Sequence, residues 1–410
     1  MHTLLIHQGF TTPNDAGGTR HYELAQFAIA RGERFSVVAS DFGYLSGKRN
    51  AGSLLGHEET IDGIRVLRVA TSPSLHGGIA GQLLSFLSFT GASLLAGIRV
   101  RDVDVVLGTS PPIFQAVTAW LVSFVKRRPL VLEIRDLWPE FIVDMGKLTN
   151  PVAISLARWL ERFLYRRARH FIVNSPAYVD YLIDKGIARE RISLIPNGVD
   201  PAMFEAGPSD AAAAQAIRDR YGLSGKFVVM YAGVMGPAND LGVLLDAAAD
   251  LRRDPRIHVV LVGDGKTRRQ LEEHARQLGL QNVTFAGPQS KADMRAFLQM
   301  ADVCVATLQN IAMFRMTYPN KVFDYLAAGR PVVLGIDGVI RQVVEEADAG
   351  VFVPPGNSAA LANAIRELAN DPERGRQLGQ NGREYVARKF NRREHGEQFT
   401  SVLRGIAARP

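Results

Sequence analysis

The sequence predicts an α/β protein of two Rossmann-like, doubly wound domains facing across a cleft. Three observations carry that prediction. Short, apolar, β-branched runs alternate with longer helical stretches, the pattern of parallel strands joined by crossover helices. The pattern then restarts: Leu4-Leu5-Ile6-His7 near the N-terminus and Lys226 to Gly233 in mid-chain each run into a glycine-bearing loop and then a helix. At 410 residues the chain has room for two or three domains, and 47% hydrophobic with 22% charged residues is ordinary for a soluble α/β protein.

In the first half, the strand Leu4–His7 leads into a polar loop from Gln8 to Gly18 and a helix from His21 to Arg31. Gly17 and Gly18 allow close backbone approach to a ligand at a helix start, and Arg20 lies in the first turn. A plain βα turn reads the same way. Phe35–Ala39 is the second strand, Asp41 to Asp62 reads as a polar mobile loop, and Gly63–Val69 alternates as a third strand. Asp102-Val103-Asp104 has a metal-motif spacing but precedes its strand, so it reads as a solvated strand start. Leu130–Ile134 ends in Arg135-Asp136-Leu137-Trp138-Pro139-Glu140, charge and aromatic surface where open α/β sheets place ligands. Arg135, Asp136 and Glu140 are costly to bury without a task.

No charge interrupts Ile79 to Ile98. Twenty residues would span a bilayer, but Gln82, Thr90, serines and glycines dilute the run. A buried domain helix is the commonest reading. A helix lying in the membrane interface is a third, because Arg99, Arg101, Lys126-Arg127-Arg128, Arg162, Arg166-Arg167 and Arg169 stand nearby in sequence.

A strand and turn are expected over Arg169–Ser175, and a strand ending in a turn over Ile192–Asp200, before a soft stretch from Pro201 to Ala214 that marks a domain boundary. In the second half, strands follow at 226–232, 258–262, 283–286, 303–307, 332–335 and 350–353. Within it, Tyr318 to Leu334 reads as a short helix begun by Pro319, ended by Gly329 and followed by a buried strand. That helix start, with Lys321 beside it, suits an anion such as a phosphate. Asp324, one turn on, can accept two hydroxyl hydrogen bonds. Phosphate plus diol is nucleotide chemistry; an ordinary capped helix with surface charges reads equally well.

A single cysteine, Cys304 in an apolar run, excludes a disulfide framework and a cysteine metal site, and points to a reducing compartment. The net charge of +7 favours anionic partners. No signal peptide is expected, since Met1-His2-Thr3 meets the first strand directly. Gly263-Asp264-Gly265-Lys266-Thr267-Arg268 lacks the third glycine of a dinucleotide fingerprint, which argues against a dehydrogenase. No basic-aromatic platform supports nucleic-acid binding.

With both halves laid out, the sequence resembles the family 4 retaining glycosyltransferases of the GT-B fold. The motifs are Asp15-Ala16-Gly17-Gly18, Val173-Asn174-Ser175 and Ile195-Pro196-Asn197-Gly198-Val199-Asp200, then Val262-Gly263-Asp264-Gly265, Val283 to Gly287, Ala301-Asp302-Val303 and Tyr318 to Leu334. Arg135 to Glu140 and Pro319-Asn320-Lys321 resemble its envelope-polysaccharide branch, of which the L-fucosamine transferases of O-antigen synthesis are one kind. The resemblance implies an acceptor domain at 1–205, a nucleotide-sugar donor domain at 206–385, and a C-terminal helix within 386–410 packing back on the first. A UDP-linked deoxy or acetamido sugar would pass to a polyprenyl-diphosphate-linked saccharide in O-antigen or capsule synthesis. The enzyme would be peripheral at the cytoplasmic face of the inner membrane, on anionic lipid, with no metal and no cofactor. Alternatives are a small soluble acceptor, or a nucleotide-sugar epimerase on the same fold.

The resemblance places the base near Gly263, Lys266 and Gly287, and the ribose on Asp324. The diphosphate would meet Gly17, Gly18, Gly233, Arg20, Arg315 and the amides of Asn320, Lys321 and Val322. Arg135, Asp136 and Lys321 are the expected catalytic groups. Two departures stand out. Met316 occupies the position of the family's first glutamate, and Pro237, Asn239 and Asp240 stand where the family has an arginine and a lysine. Lys321 is the first substitute for that charge, Arg315 the second. Fewer polar partners at Met316 suit a deoxy or acetamido sugar. M316E is therefore expected to shift preference toward a fully hydroxylated hexose donor, and a donor panel showing unchanged discrimination would count against this.

Overall fold

The computed structural model describes residues 1–13, 15, 18–42, 56–72, 78–200 and 208–408. Two compact units divide them: Met1–Asn197 with Arg393–Pro410, and Gly198–Arg392.

The first unit holds β1 (His2–Ile6), β2 (Arg34–Ser40), β3 (His57–Ile61), β4 (Ile64–Val69), β5 (Val105–Ser110), β6 (Leu130–Ile134), β7 (His170–Val173) and β8 (Ile192–Leu194). Their order across the sheet is β3-β4-β2-β1-β5-β6-β7-β8. All pair in parallel except β3 with β4. β1, β5 and β6 are buried from end to end, as parallel strands covered on both faces must be. The crossovers include α1 (Arg20–Ile29), α2 (Gly78–Arg99), α3 (Ile113–Lys126), α4 (Glu140–Asp144), α5 (Pro151–Arg167) and α6 (Pro176–Asp184).

Two expectations fail here. The span from Asp41 to Asp62 is not all loop, because β3 lies inside it; residues 43–55 fall outside the described set. β3 reads His-Glu-Glu-Thr-Ile and is only partly buried, so composition hides it. It is a hairpin partner of β4, turned at Asp62 (φ 47°) and Gly63 (φ 83°) and held by Arg65–Glu58 (2.6 Å) and Arg68–Glu59 (2.7 Å) ion pairs. Nor is α2 a buried helix: of its most apolar window, 22% is buried. Ser85, Phe89, Ser93 and Gly97 face inward at four-residue steps, and a Cβ on Gly97 would lie 2.8 Å from Val122 of α3. The opposite face is exposed.

The unit's core joins Leu24, Phe35, Val37, Val66 and Leu107 to Phe399, Leu403 and Ile406 of the last helix, Arg392–Ala407. Arg404 of that helix bonds Glu33, and a Cβ on Gly396 would lie 2.2 Å from the Phe27 ring.

The second unit has six parallel strands: β9 (Phe227–Ala232), β10 (Ile257–Val262), β11 (Val283–Gly287), β12 (Val303–Thr307), β13 (Val332–Gly335) and β14 (Gly350–Phe352), in the order β11-β10-β9-β12-β13-β14. Counted from β9 this is 3-2-1-4-5-6, the doubly wound order with its reversal between β9 and β12. Fully buried aliphatic residues of β9, β10 and β12 form its core with α8 (Gly242–Leu251) and α13 (Ser358–Asn370). Cys304 is buried in β12, and burial pushes its thiol pKa up. α11 (Asn320–Ala327) starts at Pro319 and stops before Gly329, whose φ of 69° is the left-handed cap the sequence suggested.

Candidate active site

In the second unit, loops at the C-terminal ends of β9, β10 and β11 lie side by side. The Gly233 N–H donates to Val262 O (3.0 Å) and the Gly263 N–H to Gly287 O (2.9 Å). Gly263 has φ 133°, and a Cβ there would lie 1.9 Å from Gly233 O; one on Gly265 would lie 2.3 Å from Met235 O. These glycines let two loops touch backbone to backbone. G263A is therefore expected to cost about 1–3 kcal/mol of stability, read as a lower urea midpoint.

Across the switch point, the loop after β12 is bonded to the loop after β9. Thr307 Oγ1 donates to Asn239 O (2.6 Å) and the Gln309 N–H to Ala238 O (2.9 Å). Lys321, from the first turn of α11, reaches the same loop. Its Nζ donates to Asn239 Oδ1 (2.7 Å) and the Tyr231 hydroxyl (2.7 Å), and lies 4.2 Å from the Tyr231 ring centroid. A Cβ on Gly233 would be 3.3 Å from that nitrogen. Both hydrogen-bond partners are neutral, and burial pushes the Lys321 ammonium down to about 7. No side chain caps the start of α11. Of its three expected anion-binding amides, that of Val322 already donates to Pro319 O (3.1 Å), and its side chain is fully buried. Asp324 is half-buried one turn further on.

In the first unit the same switch falls between β1 and β5. Arg135, just beyond β6, donates from Nε to Thr109 Oγ1 (2.9 Å) and from Nη2 to Pro111 O (3.1 Å). Its Nη2 is 3.5 Å from His7 Nε2. Glu133 lies fully buried beneath, bonded by His21, by Arg20 Nε (2.8 Å) and by Thr109 Oγ1 (3.2 Å). Burial alone would raise its carboxyl; the His21, Arg20 and Arg135 charges outweigh it and hold the pKa well below the usual range. Burial, then the His21 and Arg135 charges, keeps His7 neutral, and its buried Nδ1 has no hydrogen-bond partner. Asp136 keeps some accessible surface, yet burial pushes its carboxyl up to about 6 against the opposing Arg135 charge and a Tyr178 hydrogen bond.

Residues 16–198 match the model of the glycosyl transferase 4-like domain, and residues 214–385 that of the glycosyl transferases group 1. The chain is a glycosyltransferase. It is 25% identical to the alpha-D-kanosaminyltransferase of Streptomyces kanamyceticus over 293 residues, 70% of this chain and 73% of that one. It is 28% identical to WcaI of Escherichia coli K12, named as a colanic acid biosynthesis glycosyl transferase, over 79% of this chain and 80% of that one. Among solved structures it resembles Anabaena HepE in complex with UDP and glucose (TM-score 0.73, 22% identity, 98% of this chain and 99% of that one). The sucrose-phosphate synthase of Thermosynechococcus elongatus is similar too (TM-score 0.78, 21% identity, 99% of both chains). These likenesses establish the GT-B fold, and the transferase assignment sets the epimerase alternative aside.

Of the transferase's expected site residues, Gly233, Gly263, Gly287 and Lys321 come together in the second unit, with Asn320 and Asp324 on the same short helix. Arg315 does not join them: it is exposed, with Nη2 3.3 Å from Asn310 Oδ1. Met316 closes the same short turn, Ala312–Met316, and Lys266 is exposed. Arg20 is at odds with a phosphate role, because Glu133, Ile195 O, Pro196 O and Asn197 Oδ1 occupy its guanidinium. Glu140 is spent on Arg158 (2.8 Å). Gly18 O accepts from Thr11 Oγ1 (2.7 Å), and Gly17 lies outside the described residues. No sequence motif marks Glu133, His7 or Tyr231, and Asn239 enters there only as a departure from the family's cationic positions. A carboxylate inside the covered strand Leu130–Ile134 was the available signal for Glu133. Among the described residues, no three His, Cys, Asp or Glu side chains group as a metal site.

Proposed function

We propose that the enzyme transfers a deoxy or acetamido sugar, with retention, from a UDP-linked donor to a polyprenyl-diphosphate-linked saccharide. The reaction belongs to envelope polysaccharide synthesis, of the O-antigen or colanic acid kind, at the cytoplasmic face of the inner membrane. The observation that carries the donor half is Lys321 at the uncapped start of α11, placed against the Gly233 loop at the switch point. It supplies from α11 the charge that the loop after β9 lacks. The donor diphosphate lies against that nitrogen and the first amides of α11, and Asp324 takes the ribose hydroxyls. As the anomeric bond breaks, charge on the leaving diphosphate is stabilised in place, and a diphosphate oxygen accepts the acceptor hydroxyl's proton. No resident metal is required. The UDP in the HepE complex supports the nucleotide, and the WcaI likeness supports a place in envelope polysaccharide synthesis.

Asp136 orients the acceptor hydroxyl as a carboxylate. Its raised pKa makes kcat fall as the pH drops through about 6. D136N is expected to lower kcat about 10²–10⁴-fold and to remove that acid limb from the pH profile.

The test is a thermal-shift screen over UDP-, GDP- and dTDP-sugars, followed by transfer assays. Stabilisation by UDP compounds alone is expected; binding of none overturns the reading. Transfer to a small soluble sugar in preference to a lipid-linked one would favour the second reading.

A further inference from the structure

Three helices of the first unit leave their apolar sides open. On α2, Leu84, Leu87, Leu95 and Ile98 form one exposed stripe with Gly91, and Leu84, Leu87 and Leu95 are 56%, 52% and 60% exposed. The spacing of 3, 4, 4 and 3 residues keeps them on a single face for about 21 Å. On α5, Val152, Leu156 and Trp159 do the same, with Leu156 and Trp159 at 62% and 57% exposed. α3 packs between the two and carries Phe124, 70% exposed, in its last turn. Trp120 and Phe163 join the helices, ring centroids 4.8 Å apart, and Phe163 stacks on Trp159 at 5.6 Å. Isolated exposed leucines need no explanation; a continuous three-helix surface does.

Its charge is one-sided. α2 and α3 contain no Asp or Glu, and the single carboxylate of α5, Glu161, is fully buried against Lys185 and Tyr181. The cations are outward. Arg99 ends α2 and Arg101 follows it, Arg127 and Arg128 follow α3, and Arg162 and Arg166 lie on α5; all six are exposed. Lys126 donates to Ile98 O (2.8 Å) and Val100 O (2.5 Å), tying the ends of α2 and α3 together.

We propose that α2, α3 and α5 form one monotopic insertion face that seats the transferase on an anionic lipid bilayer. It rests on the membrane-linked reading above and names the surface responsible. Leu, Phe and Trp enter the acyl boundary while the arginines meet lipid phosphates at its rim. α2 does not cross the bilayer. Its inner side is committed to the unit, through Ser85 on Gln8 (3.3 Å) and Ser93 on Thr118 (3.3 Å), and a spanning helix would tear those contacts out. The face also continues toward the candidate chemistry: Phe86 of α2 stacks on Phe114 of α3 (5.6 Å), and Phe114 meets Trp138 (6.3 Å), two residues beyond Asp136. A lipid-borne acceptor thus has apolar protein surface leading to Arg135 and Asp136.

The test uses the full chain and vesicle flotation, without nucleotide or sugar, so its outcome is separate from that of the donor screen. Phosphatidylglycerol-containing vesicles are expected to bind the protein at least tenfold more tightly than phosphatidylcholine vesicles, with a blue shift of tryptophan emission. Half-molar salt weakens that binding without abolishing it. The triple variant L87S/F124S/W159S is expected to lose at least a hundredfold in affinity, with its thermal midpoint kept. The charge variant R127E/R128E is expected to lose the preference for anionic lipid. Unchanged binding by the triple variant, or no binding by the natural protein, overturns the proposal. So does a dimer in solution that the triple variant dissociates, since a second copy would then cover the face.

Discussion

Replacing Lys321 by methionine is expected to lower kcat/KM about 10²–10³-fold, comparable to losing one preorganised donor to a developing oxyanion, about 2.7–4 kcal/mol. A second readout separates this from mere loss of packing. With its pKa near 7, Lys321 is largely neutral at pH 8 in the free enzyme. A diphosphate placed beside it favours the charged form. UDP binding at pH 8 should therefore take up close to one proton, measured by calorimetry in buffers of different ionisation enthalpy, and K321M should take up none. Equal uptake by both proteins would falsify the assignment. Stability gives a third check. The folded pKa lies below the unfolded value of about 10.4, so the native state binds fewer protons between about pH 7 and 10 and gains stability as pH rises across that window. K321M should flatten that slope.

The second large effect belongs to Glu133. E133A leaves Arg20 and His21 buried around a missing carboxylate, and is expected to cost about 3–5 kcal/mol of stability by urea unfolding. A cost under about 1 kcal/mol would mean that water or another group satisfies both. The pH dependence carries two limbs of the same sign. Burial, above all, lowers the pKa of His7 and His21 in the folded protein, while unfolded histidines protonate below about 6.5, so stability falls as pH drops through that value. Glu133 adds stability that is present above the ordinary carboxylate range and is lost only as pH falls through its depressed folded value.

The parallel strands were legible because a strand covered on both faces must be apolar throughout, and Leu130–Ile134 and Val303–Thr307 read so. The cap at Gly329 was legible because few residues other than glycine tolerate φ 69°. β3 was obscured because an edge strand carries polar residues, although Asp62-Gly63 between two runs is itself a hairpin signal. The site was half legible. Backbone-driven features, the glycine loops and the helix start, are written locally. Side-chain pairings such as Arg20 with Glu133, or Lys321 with Asn239 and Tyr231, join residues 82 to 113 positions apart, and spacing along the chain does not encode them. α2 misled for a different reason: apolar composition says that a surface avoids water, not which solvent or protein covers it.

The last helix, Arg392–Ala407, bears on the order of synthesis. Phe399, Leu403 and Ile406 sit in the core of the first unit, yet they are translated after all of the second. The ribosome thus completes the second unit while the first still has an unfilled core beside Leu24 and Phe35. Folding from the N-terminus forward is interrupted here, and the unit made first is finished last.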